Sequence, residues 1–526
     1  MTHGLKAQNP DETQERLTAA RKDLKEAAFR GIRWTALAQL ATEVLTILSS
    51  VPLARLVPPA EFGRVAVAGI AFALGGAIIG QGVATPVVQF RRIDRRHLEA
   101  ATALSIAAGA LLTTVAILVA PLVVSPLFGH RVSFLVQIAA PVFILSGLGT
   151  VSYAVVSRRL DFPTMSKISI ASLVSGALAS VLLAAFAGLD AEALIAGLLI
   201  RQAVSTLLYL RATGMVVPRW RRGATTEIAA FGIPAGLASI VYAAFRNVDY
   251  AILGARLNPA QVGFYWRAFQ LGVEYQGKMT TVIRGVSFPV YSRSENLDDM
   301  RAMRTRIVRL QATAVLPLLA LLSAIAPVLV PWLYGSRWES TVVPTQILAL
   351  GGMTVALATG TGPLLMAAGR PRALLAFNAC ALSAFGGTVY ALAPYGIRAV
   401  CVGVVSYQFV ALGVQYYVLE HRVAGVQVPQ ILKDIVPAFA GSAGLAAVAF
   451  PLTQVLANVG ISDPLVLVIV TAVACSIYVL ILRSFFRAAW FDLTLVLRRV
   501  LRRRPTRPDA VPAPAPASAT TDPITG

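Results

Sequence analysis

Long apolar runs alternate with short polar gaps along almost the whole chain. A helix that crosses a bilayer needs about 20 mostly apolar residues. Fourteen stretches meet that requirement: 34–54, 64–88, 99–124, 132–156, 167–187, 192–210, 228–253, 264–288, 308–333, 342–367, 373–393, 397–418, 434–457 and 463–483. Most gaps hold Pro, Gly or a charge cluster, and none is long enough for a folded soluble domain. The pattern predicts an all-α polytopic membrane protein with about fourteen transmembrane helices.

Composition points the same way. Apolar residues make up 56% of the chain and charged ones 13%, with a mean hydropathy of +0.70. A soluble domain carries about 25% charged residues. The net charge of +21, from 46 basic and 25 acidic residues, would suggest nucleic acid in a soluble protein. Here it speaks to topology instead, and no nucleic-acid partner is expected. With the N-terminus in the cytoplasm, every inside segment carries at least two Lys or Arg, and no outside gap carries more than two. This positive-inside distribution puts both termini in the cytoplasm. One missed span would invert it from that point on.

Residues 1–33 read as a cytoplasmic amphipathic segment, with Leu17, Leu24, Ala28 and Ile32 at helical spacing. They hold no apolar core before Trp34, so the first span is expected to act as its own uncleaved signal. Residues 484–504 mix aromatic residues with arginines and read as a basic interfacial helix, with membrane lipids as its partner. The Pro- and Ala-rich stretch 505–526 reads as a disordered tail. Cys380, Cys401 and Cys475 sit in apolar runs and are expected to be buried small hydrophobes. The four histidines show no zinc spacing, and neither metal nor cofactor is expected.

The chain repeats itself. Residues 59–63 read PAEFG and 259–263 read PAQVG, an offset of 200. Upstream stand Ala54-Arg55-Leu56 and Ala255-Arg256-Leu257. Downstream, Gly82-Val83 and Pro86-Val87 are matched by Gly285-Val286 and Pro289-Val290. Spans one and seven cross in the same direction, so the two halves should be related by a pseudo-two-fold axis along the membrane normal. The expected division is an N-lobe at 34–210 (spans 1–6), a cytoplasmic linker at 211–227, a C-lobe at 228–418 (spans 7–12) and two added helices within 419–483. Two like lobes facing one another enclose a cleft, and tilting them gives alternating access.

With Gly31-x-x-Trp34-x-x-x-x-Gln39, Leu53-Ala54-Arg55-Leu56, Pro59–Gly63 and Gly263-Phe264-Tyr265-Trp266-Arg267-Ala268, the chain resembles the bacterial polysaccharide and oligosaccharide flippases. These belong to the multidrug/oligosaccharidyl-lipid/polysaccharide exporter superfamily, and the resemblance covers about 30–480. It implies a flippase that moves polyprenyl-diphosphate-linked oligosaccharide across the cytoplasmic membrane for cell-surface polysaccharide. It also implies a cationic central cavity, and glycan polymerase or glycosyltransferase machinery as candidate partners.

The site residues come from this chain's own charges. An ionisable group in a span is costly and normally faces the bundle interior or a wet cavity. Arg246, Arg267, Lys278 and Arg284 are the candidate substrate-binding cations, since Arg suits phosphate. Glu43, Asp249 and Glu274 are candidates for ion coupling or for charge pairs. Arg267, Glu274 and Lys278, at spacings of seven and four, fall on one helical face. Asp249 lies at the same depth as Arg267, so a cross-helix pair is open to it. The competing account is a set of self-neutralising pairs, such as Glu274 with Lys278. Arg201 and Arg398 read as structural. Tyr242, Tyr250, Tyr265, Trp266 and Tyr275 in the same hairpin could stack on sugars or simply pack. A drug or cation antiporter of the same superfamily would want an acidic cleft. A membrane-embedded glycan polymerase or ligase would want a large outer loop, which this chain lacks, and no nucleotide-binding loop is present.

Overall fold

A computed structural model describes residues 39, 41–274, 277, 297–487, 490, 491 and 494. Among these residues every regular element is helical. In chain order they are α1 (41–56), α2 (Pro59–Gln89), α3 (Arg95–Phe128), α4 (His130–Arg158), α5 (Phe162–Phe186), α6 (Ala191–Thr213) and α7 (Arg222–Arg256). Then follow α8 (Pro259–Glu274), α9 (Leu297–Tyr334), α10 (Ser336–Met366), α11 (Pro371–Leu392), α12 (Ile397–Arg422), α13 (Val428–Asn458) and α14 (Asp463–Phe485). Twelve of them are long and apolar enough to cross a membrane. The other two expected spans, 34–54 and 264–288, are represented by α1 and α8 and continue outside the described residues. The amphipathic segment before Trp34, nearly all of the basic helix at 484–504 and the 505–526 tail also lie outside them.

The duplication is visible in packing. α3 pairs with α4, α4 with α6 and α5 with α6; six helices later, α9 pairs with α10, α10 with α12 and α11 with α12. α13 and α14 pack on each other and on α9, outside this repeated scheme. The lobes meet where α2 packs against both α7 and α8. One continuous core joins them there, with Val67 and Ala68 of α2 beside Tyr250 and Leu253 of α7 and Tyr265 of α8.

One end of the bundle carries the arginine-rich connections and is called the basic end; the other, where α1 turns into α2 and α7 into α8, is the sparse end. Two helices run further than their apolar patterns indicate. α7 begins at Arg222 and α9 at Leu297, giving 35 and 38 residues. At 1.5 Å per residue these are roughly 52 and 57 Å long, well beyond a hydrocarbon core of about 30 Å. The polar first turns of both helices stay helical, with Asp298 and Asp299 at the N-terminus of α9, and only 214–221 of the expected 211–227 linker is non-helical.

Arg158 of α4 ties down the end of α2. Its Nη1 donates to the carbonyls of Val87 (3.1 Å) and Phe90 (2.6 Å), groups that a helix C-terminus leaves without partners. The cysteines correct one expectation. Cys401 is buried, but Cys380 and Cys475 are exposed, because a bilayer lets apolar side chains face outward.

Candidate functional site

The repeated motifs form the contact between the lobes at the sparse end. Pro59 and Pro259 each open a helix, where a missing N–H costs nothing. Asn258 caps the second of them through Gln261 N (2.9 Å). One turn in, Gly63 and Gly263 lie against each other. A Cβ on Gly63 would come 1.9 Å from Pro259 O, and a Cβ on Gly263 would come 2.0 Å from Pro59 O. The contact is reciprocal, as a two-fold axis between the motifs requires. Glycine at both positions lets the two backbones touch.

Aromatic side chains close over this contact. Phe62 of α2 stacks on Trp266 of α8 (5.7 Å) and meets the edge of Trp338 (5.3 Å) at the start of α10. The Trp338 indole N–H donates to Ala54 O of α1 (2.7 Å), and Arg55 Nε donates to Leu333 O of α9 (3.0 Å). Arg267 lies inside the ring cluster. Its guanidinium carbon is 4.6 Å from the ring of Tyr334, 5.0 Å from Trp266, 5.1 Å from Phe62 and 5.2 Å from Trp338. Its side chain is 1% exposed, and Nη1 donates to Gln270 Oε1 (3.0 Å). Three rings belong to the second lobe and one to the first. The electron-rich ring faces stabilise a desolvated guanidinium.

Arg267 therefore does not line a wet cavity in this conformation, and it does not pair with Asp249. Asp249 is buried and accepts from the Tyr265 hydroxyl (3.0 Å) and from Tyr250 N (2.9 Å). Beyond Arg267 the helix passes through a π-turn at Gln270–Glu274. Its wider turn holds an extra residue, so Arg267 and Glu274 leave the common face that regular helical spacing assigns them. Glu274 reaches across to α7 instead, 3.7 Å from Arg246. This pair is the accessible one: Arg246 is 53% exposed and Glu274 29%. Glu43 of α1 accepts from Gln39 Nε2 (2.8 Å), one helical turn before it. Lys278, Arg284 and Tyr275 lie outside the described residues. Tyr242 is exposed, whereas Tyr250 and Tyr265 pack in the core.

Two polar clusters at the basic end escaped the hydropathy pattern. Glu99, at the start of α3, is 3% exposed and takes Arg95 Nε (3.3 Å) and Arg221 Nε (3.1 Å). With His97 Nε2 and Glu227 Oε2 at 3.1 Å, it ties the N-lobe to the start of α7. In the C-lobe, Arg304 and Glu420 are both wholly buried and paired at 2.7 Å. Arg304 also donates to Thr359 O (2.9 Å) and Leu357 O (3.1 Å), where α10 breaks at Gly360 (φ +102°). Thr361 donates to Glu420, and Gln415 Nε2 donates to Thr361 Oγ1 (2.6 Å). The Thr359-Gly360-Thr361-Gly362 run in an apolar span was the available signal.

Residues 52–343, from the end of α1 to the start of α10, match the model of a family described as polysaccharide biosynthesis protein. The chain belongs to that family. The matched stretch of this polysaccharide biosynthesis protein contains both repeat motifs and the whole Arg267 cage. The chain is 26% identical over 411 residues to an uncharacterized membrane protein in the cps region of Klebsiella pneumoniae, covering 76% of this chain and 84% of that one. The lipopolysaccharide biosynthesis protein WzxC of Escherichia coli (strain K12) is 24% identical over 364 residues, 68% of this chain and 73% of the relative. In three dimensions the chain resembles the lipid II flippase MurJ in its inward closed conformation. The TM-score is 0.66 over 86% of this chain and 98% of that one, at 12% identity, which is a likeness of fold.

Proposed function

We propose that this protein is a flippase for lipid-linked glycans. It is a transporter without covalent chemistry of its own, set in the bacterial inner membrane with its basic end and both termini in the cytoplasm. The observation that carries the reading is the reciprocal Gly63–Gly263 contact of two like lobes at one end, with the accessible Arg246–Glu274 pair deeper in the bundle. Arg246 lies ten residues from the sparse end of α7, roughly 15 Å down the helix. There a cation can meet the diphosphate of a polyprenyl-linked oligosaccharide while the lipid tail stays in the bilayer. The names of relatives in lipopolysaccharide biosynthesis and in lipid II flipping fit this cargo.

A strain lacking this protein, complemented by Arg246→Ala or Glu274→Ala, tests the pair. Losing a charged hydrogen-bonding partner costs about 1.5–3 kcal/mol, so lipid-linked glycan on the outer face should fall about tenfold or more. Normal export by both variants at normal protein levels would remove the pair from the path.

Arg267 takes a conformation-dependent role in this scheme. When the sparse end opens, Phe62 leaves with α2, and the guanidinium gains access to the cleft. Arg267→Met keeps the bulk and deletes the charge. Replacing a buried charge by a well-packed hydrophobe is often neutral or stabilising, so thermal stability in detergent should hold or rise while export falls. Unchanged export would assign Arg267 to packing alone.

A further inference from the structure

The basic-end turns of α9 carry a cavity that transport between the lobes does not use. With Tyr334 at the sparse end, a bilayer core of about 30 Å takes up about the last twenty residues of α9. The turns bearing Arg301, Arg306 and Arg309 then stand at headgroup level or beyond. Together with the α12–α13 connection and Asp434 they line an open cavity of about 500 Å³.

Two of the arginines are held in place. Arg301 donates through Nε to Ala424 O (3.0 Å) and through Nη1 to Asp298 Oδ1 (2.7 Å). Gly425, at φ +71°, leaves room for it, since a Cβ there would lie 2.2 Å from Arg301 Nη2. Arg309 Nη1 donates to Asp434 Oδ1 (3.3 Å). Arg306 is exposed and has no hydrogen-bonded or ion-paired partner among the described residues. Among the described residues that line the cavity, three guanidinium groups accompany two carboxylates. Anchoring of topology requires basic residues but neither a cavity nor fixed guanidinium groups. A phosphate, with several acceptor oxygens, complements converging planar donors.

We infer that this cavity binds a phosphate-bearing anion on the cytoplasmic side, apart from the path between the lobes. Its chemistry is shared by an anionic lipid headgroup and by free phosphate, and the test separates them. The full-length protein, purified in detergent, is titrated with dioleoyl-phosphatidylglycerol in mixed detergent micelles in one arm and with inorganic phosphate at constant ionic strength in the other. Thermal unfolding is read in both, for wild type, Arg306→Gln, Arg309→Gln and the control Arg422→Gln. Arg422 is an exposed basic residue at the same end that stacks on Tyr417, outside the cavity.

Wild type and the control should show the same saturable stabilisation. Arg306→Gln should bind about tenfold more weakly, as expected for one lost charged hydrogen bond. A response confined to phosphatidylglycerol identifies a lipid headgroup, and a response to phosphate identifies a soluble anion. Equal affinity in wild type and Arg306→Gln, or no saturable response to either probe, overturns the site. Arg306 is exposed, so its substitution leaves folding intact even if Arg309→Gln does not fold.

Discussion

Alanine at both Gly63 and Gly263 should drive the sparse end open and stop transport. Each new methyl would sit about 2 Å from a backbone carbonyl, which cannot rotate away as a side chain can. Overpacking costs about 1–3 kcal/mol per site, and each 1.4 kcal/mol is a factor of ten. The strain exists only while α2 and α8 touch. It therefore falls on the closed state alone, and the double variant should shift the equilibrium about a hundredfold toward the state in which they part. Spin labels at Leu189 and Tyr395 would read the change, because these exposed positions lie in corresponding sparse-end turns, α5–α6 of one lobe and α11–α12 of the other. Wild type should give a short inter-label distance, each single alanine variant a mixture, and the double variant a long distance with glycan export lost. An unchanged distance distribution in the double variant would mean that the two glycines are not the pivot of the lobes.

The same positions show how much can be read from residues alone. The all-helical, many-span architecture was legible because the bilayer imposes a length on each apolar run that soluble proteins escape. The axis between the lobes was legible as PAEFG and PAQVG, because a reciprocal contact demands like residues from both halves. The partners of the intramembrane charges were not. Regular helical spacing puts Arg267 and Glu274 on one face, and the π-turn at Gln270–Glu274 undoes it. Asp249 finds a tyrosine hydroxyl rather than an arginine. Nothing in local composition marks Phe62 and Trp338, 276 positions apart, as walls of one cage. Hydropathy also stops at Val308, whereas α9 continues through Arg306, Arg304 and Arg301 to Leu297.

Arg304 and Glu420 were hidden by that same cut-off, and their loss should have the largest effect on stability. Both are wholly buried, and together they join α9, the break in α10 and the end of α12. Removing one partner of a buried pair strands the other charge, at a cost of about 3–5 kcal/mol. Glu420→Leu should therefore unfold at a much lower temperature in detergent and accumulate poorly in the membrane. Arg304→Leu should be worse, since the carbonyls of Leu357 and Thr359 lose their donor as well. The double variant Arg304→Leu/Glu420→Leu discriminates between charge and geometry. If the cost is mainly the stranded charge, the double variant recovers most of the stability lost by Glu420→Leu. If Arg304 matters chiefly because it satisfies the carbonyls at the Thr359–Gly360 break, the double variant stays as unstable as Arg304→Leu. The carbonyl bonds of 2.9 and 3.1 Å favour the second outcome. Full recovery in the double variant would reduce this cluster to an ion pair.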